Sequence, residues 1–354
     1  MPRSVKLILL IVAAILIVIV LLTTKRAIEP GDYQPSTINY QPQSVTLFFA
    51  GDIMLSRNVH DRMAKAGDFA LPFNHVVRQV VSANLSFANL ESPFNDQGPH
   101  FVPNSLVFNA DSKSVAGLVA AGFDILSTAN NHAFDQGQRG LEFTRDLLEA
   151  HDKAHDILAV GTGEGCHQGK IIEKSGIKFG FLAYSYAAYN DGGKQSDPLV
   201  CNWNDSAQTA EDIKLLKNKA NFVTVSFHAG TEYKRQPDEK NVALAHAATD
   251  AGADLLIGHH PHWIQTIEEY KGKYIFYSLG NFIFDQMWSQ ETREGLTMTM
   301  TITMTDQKPE IKKIELMPVV IDDYCCPRWA NSSETASILK KINLTSNILV
   351  DNND

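Results

Sequence analysis

FVTVSFHAGTEYKRQPDEKNVALAHAATDAGADLLIGHHPH, residues 222–262, reads as strand, helix, strand. FVTVSF (222–227) and ADLLIG (253–258) are short continuous apolar runs of the kind that form strands buried on both faces. Between them, DEKNVALAHAATDAG (238–252) is an amphipathic stretch of helical length. Such a unit implies parallel strands in one sheet. Both strands end in histidine: His228 after the first, and Gly258-His259-His260-Pro261-His262 after the second.

The same phrase recurs outward from this segment. Apolar runs lie at 45–50 (VTLFFA), 85–90 (LSFANL), 123–129 (FDILSTA), 157–160 (ILAV), 179–186 (FGFLAYSY) and 274–280 (YIFYSLG). Helical stretches close at 118–122 and span 140–150. The alternation predicts an α/β domain with a largely parallel sheet. LTMTMTITMT (296–305) alternates with a two-residue period, and IKKIELMPVV (311–320) follows a DQKP turn. These predict an antiparallel hairpin, which makes the sheet mixed. After Asp323 the pattern fades, with one weak helical segment near 336–344. No fixed-period repeat is present. The expected organisation is one domain over 45–323 and a tail over 324–354.

Composition sets the outer bounds. The 354 residues are 44% hydrophobic and 20% charged, which excludes collagen-like, low-complexity and wholly disordered classes. Forty acidic and 31 basic residues give a net charge of −9, so general nucleic-acid binding is not expected. An anionic partner would need a local positive site or a bound cation.

The amino terminus departs from this average. Leu7 to Leu22 is an unbroken apolar run that Thr23 and Thr24 extend, with Arg3 and Lys6 before it and Lys25 and Arg26 after. At ~1.5 Å per residue, the uncharged stretch spans roughly 27 Å, near the thickness of a bilayer core. The run is long for a cleaved signal, and TTKRAIEP offers no small-x-small cleavage site. Residues 1–26 are therefore expected to be a transmembrane anchor, with the bulk of the chain on the extracytoplasmic side of the bilayer. Residues 27–44, with Pro30, Pro35 and Pro42, read as a tether or as an irregular arm lying on the domain. Cys166 and Cys201 are candidates to pair in an oxidising compartment, whereas the adjacent Cys325 and Cys326 lack the spacing of a zinc or redox site.

Chemistry collects where strands end. Asp52 closes the first strand, Asn89-Leu90-Glu91 the second, and Asn130-Asn131-His132 the third, followed by Asp135. His228, His260 with His262, and Gly280-Asn281 close later ones. The C-terminal ends of parallel strands form the ligand crevice of open α/β sheets. One Asp, one Glu, Asn and imidazoles suit a partly open site for zinc, manganese or iron. Such a metal polarises an oxygen or acidifies water, and His132 is placed to act as general acid. Each element alone has a plainer reading. His-x-His occurs in polar loops, Glu91 before Ser92-Pro93 suits a cap, and Asn131 suits a turn. No nucleophile elbow or phosphate-binding glycine motif is present, and Gly161-Thr162-Gly163-Glu164-Gly165 reads as a flexible loop.

FFAGDIML, FANLESPF, STANNHAFDQG, SFHAGTEY, IGHHPHWIQ and FYSLGNFIFDQ, in this order between Val45 and Asp285, resemble the CapA family of poly-γ-glutamate capsule biosynthesis proteins. That family is similar to calcineurin-like metallophosphoesterases. The resemblance implies a sandwich of two mixed β-sheets flanked by helices. It also implies metal ligation by Asp52, Asn131, His228, His260 and His262, with His132 assisting a leaving group. Two positions depart from the phosphoesterase pattern. Met54 stands where a histidine ligand is usual, and Glu91 stands in the region of the aspartate that bridges two metals.

Three functions follow as expectations. The first is a membrane-anchored protein that assists synthesis, export or attachment of an anionic poly-γ-glutamate-like polymer, alongside membrane-embedded ligase and export proteins implied by the resemblance. The second is a metal-dependent hydrolase of phosphoester or amide bonds at the cell surface. The third is a non-catalytic scaffold that holds polymer carboxylates through a cation.

Overall fold

The computed structural model describes residues 44–150, 157–186 and 199–352. The anchor expected over 1–26 and nearly all of the tether over 27–44 lie outside them. Among the described residues no helix is long and apolar enough to cross a membrane.

In chain order the elements are β1 (Ser44–Ile53), α1 (Arg57–Ala66), α2 (Val77–Ser82), β2 (Leu85–Leu90), the two-residue strands β3 (Phe94–Asn95) and β4 (Ala110–Asp111), α3 (Val115–Ala121), β5 (Ile125–Ser127) and α4 (Gly137–Glu149). There follow β6 (Leu158–Val160), β7 (Lys170–Lys174), β8 (Ile177–Ser185), α5 (Ser206–Lys217), β9 (Phe222–His228), α6 (Glu239–Ala251) and β10 (Leu255–His259). The chain continues through β11 (Ile267–Tyr270), β12 (Lys273–Phe276), β13 (Asn281–Ile283), α7 (Gln290–Arg293), β14 (Glu294–Thr305), β15 (Lys308–Asp322), β16 (Cys326–Trp329), α8 (Ser332–Lys341) and β17 (Ile348–Asp351).

Apart from the separate β3–β4 pair, these strands form two mixed sheets. The first runs β16-β15-β14-β1-β2-β5-β6, with β13 beside β1 and β17 beside β15. The second runs β11-β12-β10-β9-β8-β7. β1, β2, β5 and β6 are parallel, and β14 and β15 form the expected antiparallel hairpin. The expected sandwich of two mixed sheets is therefore present.

Alternating side chains of β1 divide between two cores. Leu47 and Phe49 join Phe87, Phe181, Leu255 and Ile257 in the layer between the sheets, where the Phe87 and Phe181 rings stack at 6.0 Å. Phe48 and Ala50 face outward onto Val59 and Met63 of α1, Val80 of α2 and Leu118 of α3. On the far side, Leu182, Val225 and Leu256 pack against Ile213 and Leu216 of α5 and Ala245 and Ala248 of α6. A strand buried on both faces needs the unbroken apolar run that β1 has. Cys166 and Cys201 are bonded to each other, and so are Cys325 and Cys326.

The segment from 324, expected to lose its pattern, continues the first sheet. β16 pairs with β15 over Val319–Asp322, and β17 pairs with it over Lys313–Glu315. The helix expected at 336–344 begins earlier, at Ser332, because Asn331 accepts from Ser333 N and Glu334 N while Glu334 reaches back to Asn331 N. That capping box fixes the start.

Two glycines let backbones close around the end of the sandwich. A Cβ on Gly51 would stand 1.9 Å from the Gly280 carbonyl oxygen, and one on Gly258 would stand 2.0 Å from that of Tyr277. Each glycine precedes a polar strand end, Asp52 or His259. Gly51→Ala is expected to cost roughly 2–4 kcal/mol, because the obstacle is backbone that cannot rotate away. Urea unfolding checks this, and a loss below ~0.5 kcal/mol would contradict such close packing.

Candidate metal centre

Strand register brings the polar ends into two rows. In the first sheet Asp52 pairs with Asn281 on one side and with Asn89 on the other, and Asn89 pairs with Ser127. In the second sheet Ser185, His228 and His259 stand side by side. The rows meet at one end of the sandwich. There Asn89 Nδ2 donates to Asp52 Oδ1 at 2.8 Å and lies 3.2 Å from His228 Nδ1.

Glu91 lies at the middle of this cluster. It is fully buried, and neither carboxylate oxygen has a hydrogen-bond partner. Its Oε1 is 3.7 Å from His132 Nε2, 3.8 Å from His228 Nε2 and 3.9 Å from His262 Nε2. These distances are too long for hydrogen bonds. A shared cation could be held between them. Two groups of ligand atoms, each within 4.8 Å, meet at this carboxylate: Glu91, His228 and His260, and Asp52, Glu91 and His262. Asn131 Oδ1 lies 2.7 Å from His228 Nε2, at the edge of the first group.

The backbone is shaped for this convergence. His260 and His262 have φ of 97° and 57°, a region that side chains other than glycine seldom occupy. Such conformations persist where the surroundings enforce them, and they cluster at functional sites. His262 Nδ1 is 2.9 Å from Asn281 Oδ1, which directs Nε2 toward Glu91.

Electrostatics agree with an open demand for positive charge. Burial, then repulsion from Asp52 and Glu232, pushes the Glu91 carboxyl well above its ordinary value. Burial alone would raise Asp52, but the bond and charge of His259, with His262 and Asn89, hold it below normal. Burial and the neighbouring imidazoles hold His228 well below its usual range and His260 down to about 3. Neutral imidazoles are the form that ligates divalent cations, and Glu91 would give up a proton in doing so.

All seven residues singled out in the sequence (Asp52, Glu91, Asn131, His132, His228, His260 and His262) come together here. Met54 does not. It is buried in the outer core, and its sulfur accepts from Ser56 N and Oγ at 3.1 and 3.2 Å. Cys166, His167 and Cys201 also lie within ligand distance of one another, but both sulfurs are spent in the disulfide.

Four further residues support the cluster. Asn89 and Asn281 are strand-end amides that orient His228 and His262. Asp135, three residues after His132 in one turn, holds its Nδ1 at 2.6 Å. Phe108 stacks on the His132 ring at 3.7 Å, and its N–H donates to the same Asp135 oxygen at 2.5 Å. Nothing in the spacing around Phe108 points to it, because it arrives from a loop between short strands.

The family model described as "Bacterial capsule synthesis protein PGA_cap" matches residues 46–286. A capsule biosynthesis protein CapA of Bacillus anthracis is 32% identical over 308 residues, covering 83% of this chain and 72% of that protein. A PGA biosynthesis protein CapA of Bacillus subtilis is 29% identical over 318 residues, covering 88% and 81%. Among solved structures, a candidate 5′-nucleotidase from Staphylococcus aureus, in complex with α-ketoglutarate, superposes with a TM-score of 0.50 at 13% identity, covering 84% of this chain and 58% of that one. This last likeness concerns the fold alone.

In metal-free protein the buried groups set opposite pH trends. Glu91 binds a proton more readily when folded, so its contribution falls as pH rises above 4.5. His228 and His260 resist protonation when folded, so theirs is lost as pH falls below 6.5, toward about 3 for His260. At pH 8 and without metal, Glu91→Gln is expected to be more stable than wild type by ~1–3 kcal/mol. Its stability should then only fall as pH drops below 6.5. Chemical denaturation after chelation measures both effects, and a destabilised Glu91→Gln at pH 8 would contradict the orphaned carboxylate.

Proposed function

Because this chain belongs to the family of bacterial capsule synthesis proteins, we propose that it assists synthesis, export or attachment of a poly-γ-glutamate-like capsule polymer through a divalent-metal centre at its strand ends. The observation that carries the metal is Glu91, a buried carboxylate without a hydrogen-bond partner, faced by three imidazoles. Burial pushes this carboxyl well above its ordinary value, so a divalent cation would take the place of the proton that otherwise neutralises it.

The residues fit one cation or two. Asp52, Glu91 and His262 would hold one, and Glu91, His228 and His260, with Asn131 alongside, would hold a second. Glu91 would then bridge, the role usual for an aspartate in metallophosphoesterases. With Met54 turned into the core, the first set would offer a cation three protein ligands. Mn, Zn and Fe all suit oxygen and imidazole donors. A divalent cation supplies positive charge that polarises a substrate oxygen.

The chain's own groups do the rest. Asp52 stays ionised under the hold of His259, and Asn89 fixes both Asp52 and His228. Asp135 and the Phe108 ring lock His132 with Nε2 toward Glu91. This geometry favours a second reading, hydrolysis of a phosphoester or amide bond, in which His132 Nε2 gives its proton to the leaving group and Asp135 stabilises the ring charge. Scaffolding without turnover is the remaining outcome.

The setting completes the reading. Residues 1–26 would anchor the protein in the cell membrane and 27–44 would tether the domain outside it. The polymer, and membrane-embedded ligase and export proteins, would be its partners there.

Loading the purified protein with Mn²⁺ at about 100 times its Kd is expected to add ~2.7 kcal/mol of stability, and chelation to remove it. Asp52→Asn should abolish that gain, as read by thermal melts with and without metal. In cells, the same substitution should strip surface polymer while leaving protein abundance unchanged. Normal polymer in cells carrying stable Asp52→Asn would overturn a metal-dependent role.

A further inference from the structure

The loop Gly161-Thr162-Gly163-Glu164-Gly165 has no part in the ligand cluster. It borders a cleft of about 230 Å³ between two edge strands, β6 of the first sheet and β7 of the second. The loop is tied down. Gly163 N donates to Leu199 O at 2.7 Å, Cys201 N donates to Gly161 O at 3.1 Å, and the disulfide from Cys166 to Cys201 joins the same two segments. A wall fixed in this way loses little freedom when a ligand arrives.

The walls are basic. Arg145 reaches the cleft from α4 and lies across the loop backbone, where a Cβ on Gly163 would stand 2.2 Å from its Nη1 and 2.4 Å from its Cζ. Only glycine leaves room for the guanidinium there, and Gly163 also has a φ of 85°. No carboxylate among the described residues pairs with Arg145. Lys170 lines the cleft as well. Its ion pair with Glu149, at 3.0 Å, is part-exposed, and such surface pairs contribute little, which leaves the ammonium open to a stronger anion. No acidic side chain lines the cleft, and Glu164, the loop's one carboxylate, is exposed. In a chain of net charge −9 this is a local positive site.

Size and charge narrow the occupant. The volume falls below the ~300–1,000 Å³ usual for drug-sized ligands, which suits a compact ion. A guanidinium presents paired N–H groups to two oxygens of one anion, and an ammonium adds a point charge beside it. Together they match the charge of about −1.5 to −2 that a phosphate group carries at pH 7 better than the single charge of a carboxylate. We propose that the cleft between β6 and β7 binds a phosphate-class oxyanion, with Arg145 on two of its oxygens, Lys170 on a third and the Gln168 carboxamide at the rim. The site is separate from the candidate metal centre and stands without the capsule reading.

The test is calorimetric titration of the full-length protein in detergent, stripped of metal and dialysed, with inorganic phosphate at constant ionic strength. Glycerol 3-phosphate, a terminal phosphate monoester, and acetate are the comparison ligands. Removing metal confines the readout to sites that need no cation. Arg145→Met and Lys170→Met are each expected to weaken phosphate binding by about tenfold, since each removes a charge-assisted hydrogen bond. Thermal melts without phosphate check that both variants fold, and neither should alter the shift caused by Mn²⁺. Binding of both phosphates, weakened in the variants, supports the site, and the tighter of the two identifies free phosphate or a phosphoryl group on a larger molecule as the source. Phosphate affinity unchanged in both variants would overturn the proposal. So would absence of phosphate binding to the metal-free wild type, or acetate binding as tightly as phosphate.

Discussion

A carboxylate without a partner governs this structure. Glu91 is removed from water at the end of β2, with imidazole nitrogens of His132, His228 and His262 held just beyond bonding distance of its Oε1. Burial favours the protonated carboxyl there, and in the proposed centre a divalent cation would replace that proton. Asp52 adds a second negative charge, and Asn89, Asn131 and Asn281 fix the surroundings without adding another.

The sandwich supplies this arrangement through register and close approach. Parallel strands place Asp52, Asn89 and Asn281 in one row and His228 with His259 in another, and the layer between the sheets joins the rows. Gly51 and Gly258 allow the neighbouring backbones to press against the strand ends. In the loop carrying His260 and His262, positive φ values turn both rings into the cluster. Such conformations cluster at functional sites.

Much of this was legible in the amino-acid order. Apolar runs marked the strands, and histidines at their ends marked the rim, because position in the sheet and residue type were independent signals. The hairpin of β14 and β15 followed from its two-residue period. What pattern could not give was long-range. The division into two sheets depends on pairing between distant segments, and it came only as an implication of family resemblance. The strands of 326–329 and 348–351 are edge additions to β15, too short to show periodicity. Met54, which stands where the resembled pattern has a histidine, is a core residue whose sulfur accepts from Ser56. Phe108 was invisible because stacking on His132 leaves no trace in spacing.

The central claim is that Glu91 is a bridging ligand rather than a buried neutral acid. Anomalous diffraction from crystals grown with Mn²⁺ tests it directly. The account predicts manganese peaks adjoining the Glu91 carboxylate, one toward Asp52 and His262 and one toward His228 and His260. A fully ordered site with no anomalous peak near Glu91, and the carboxyl protonated in its place, would contradict it.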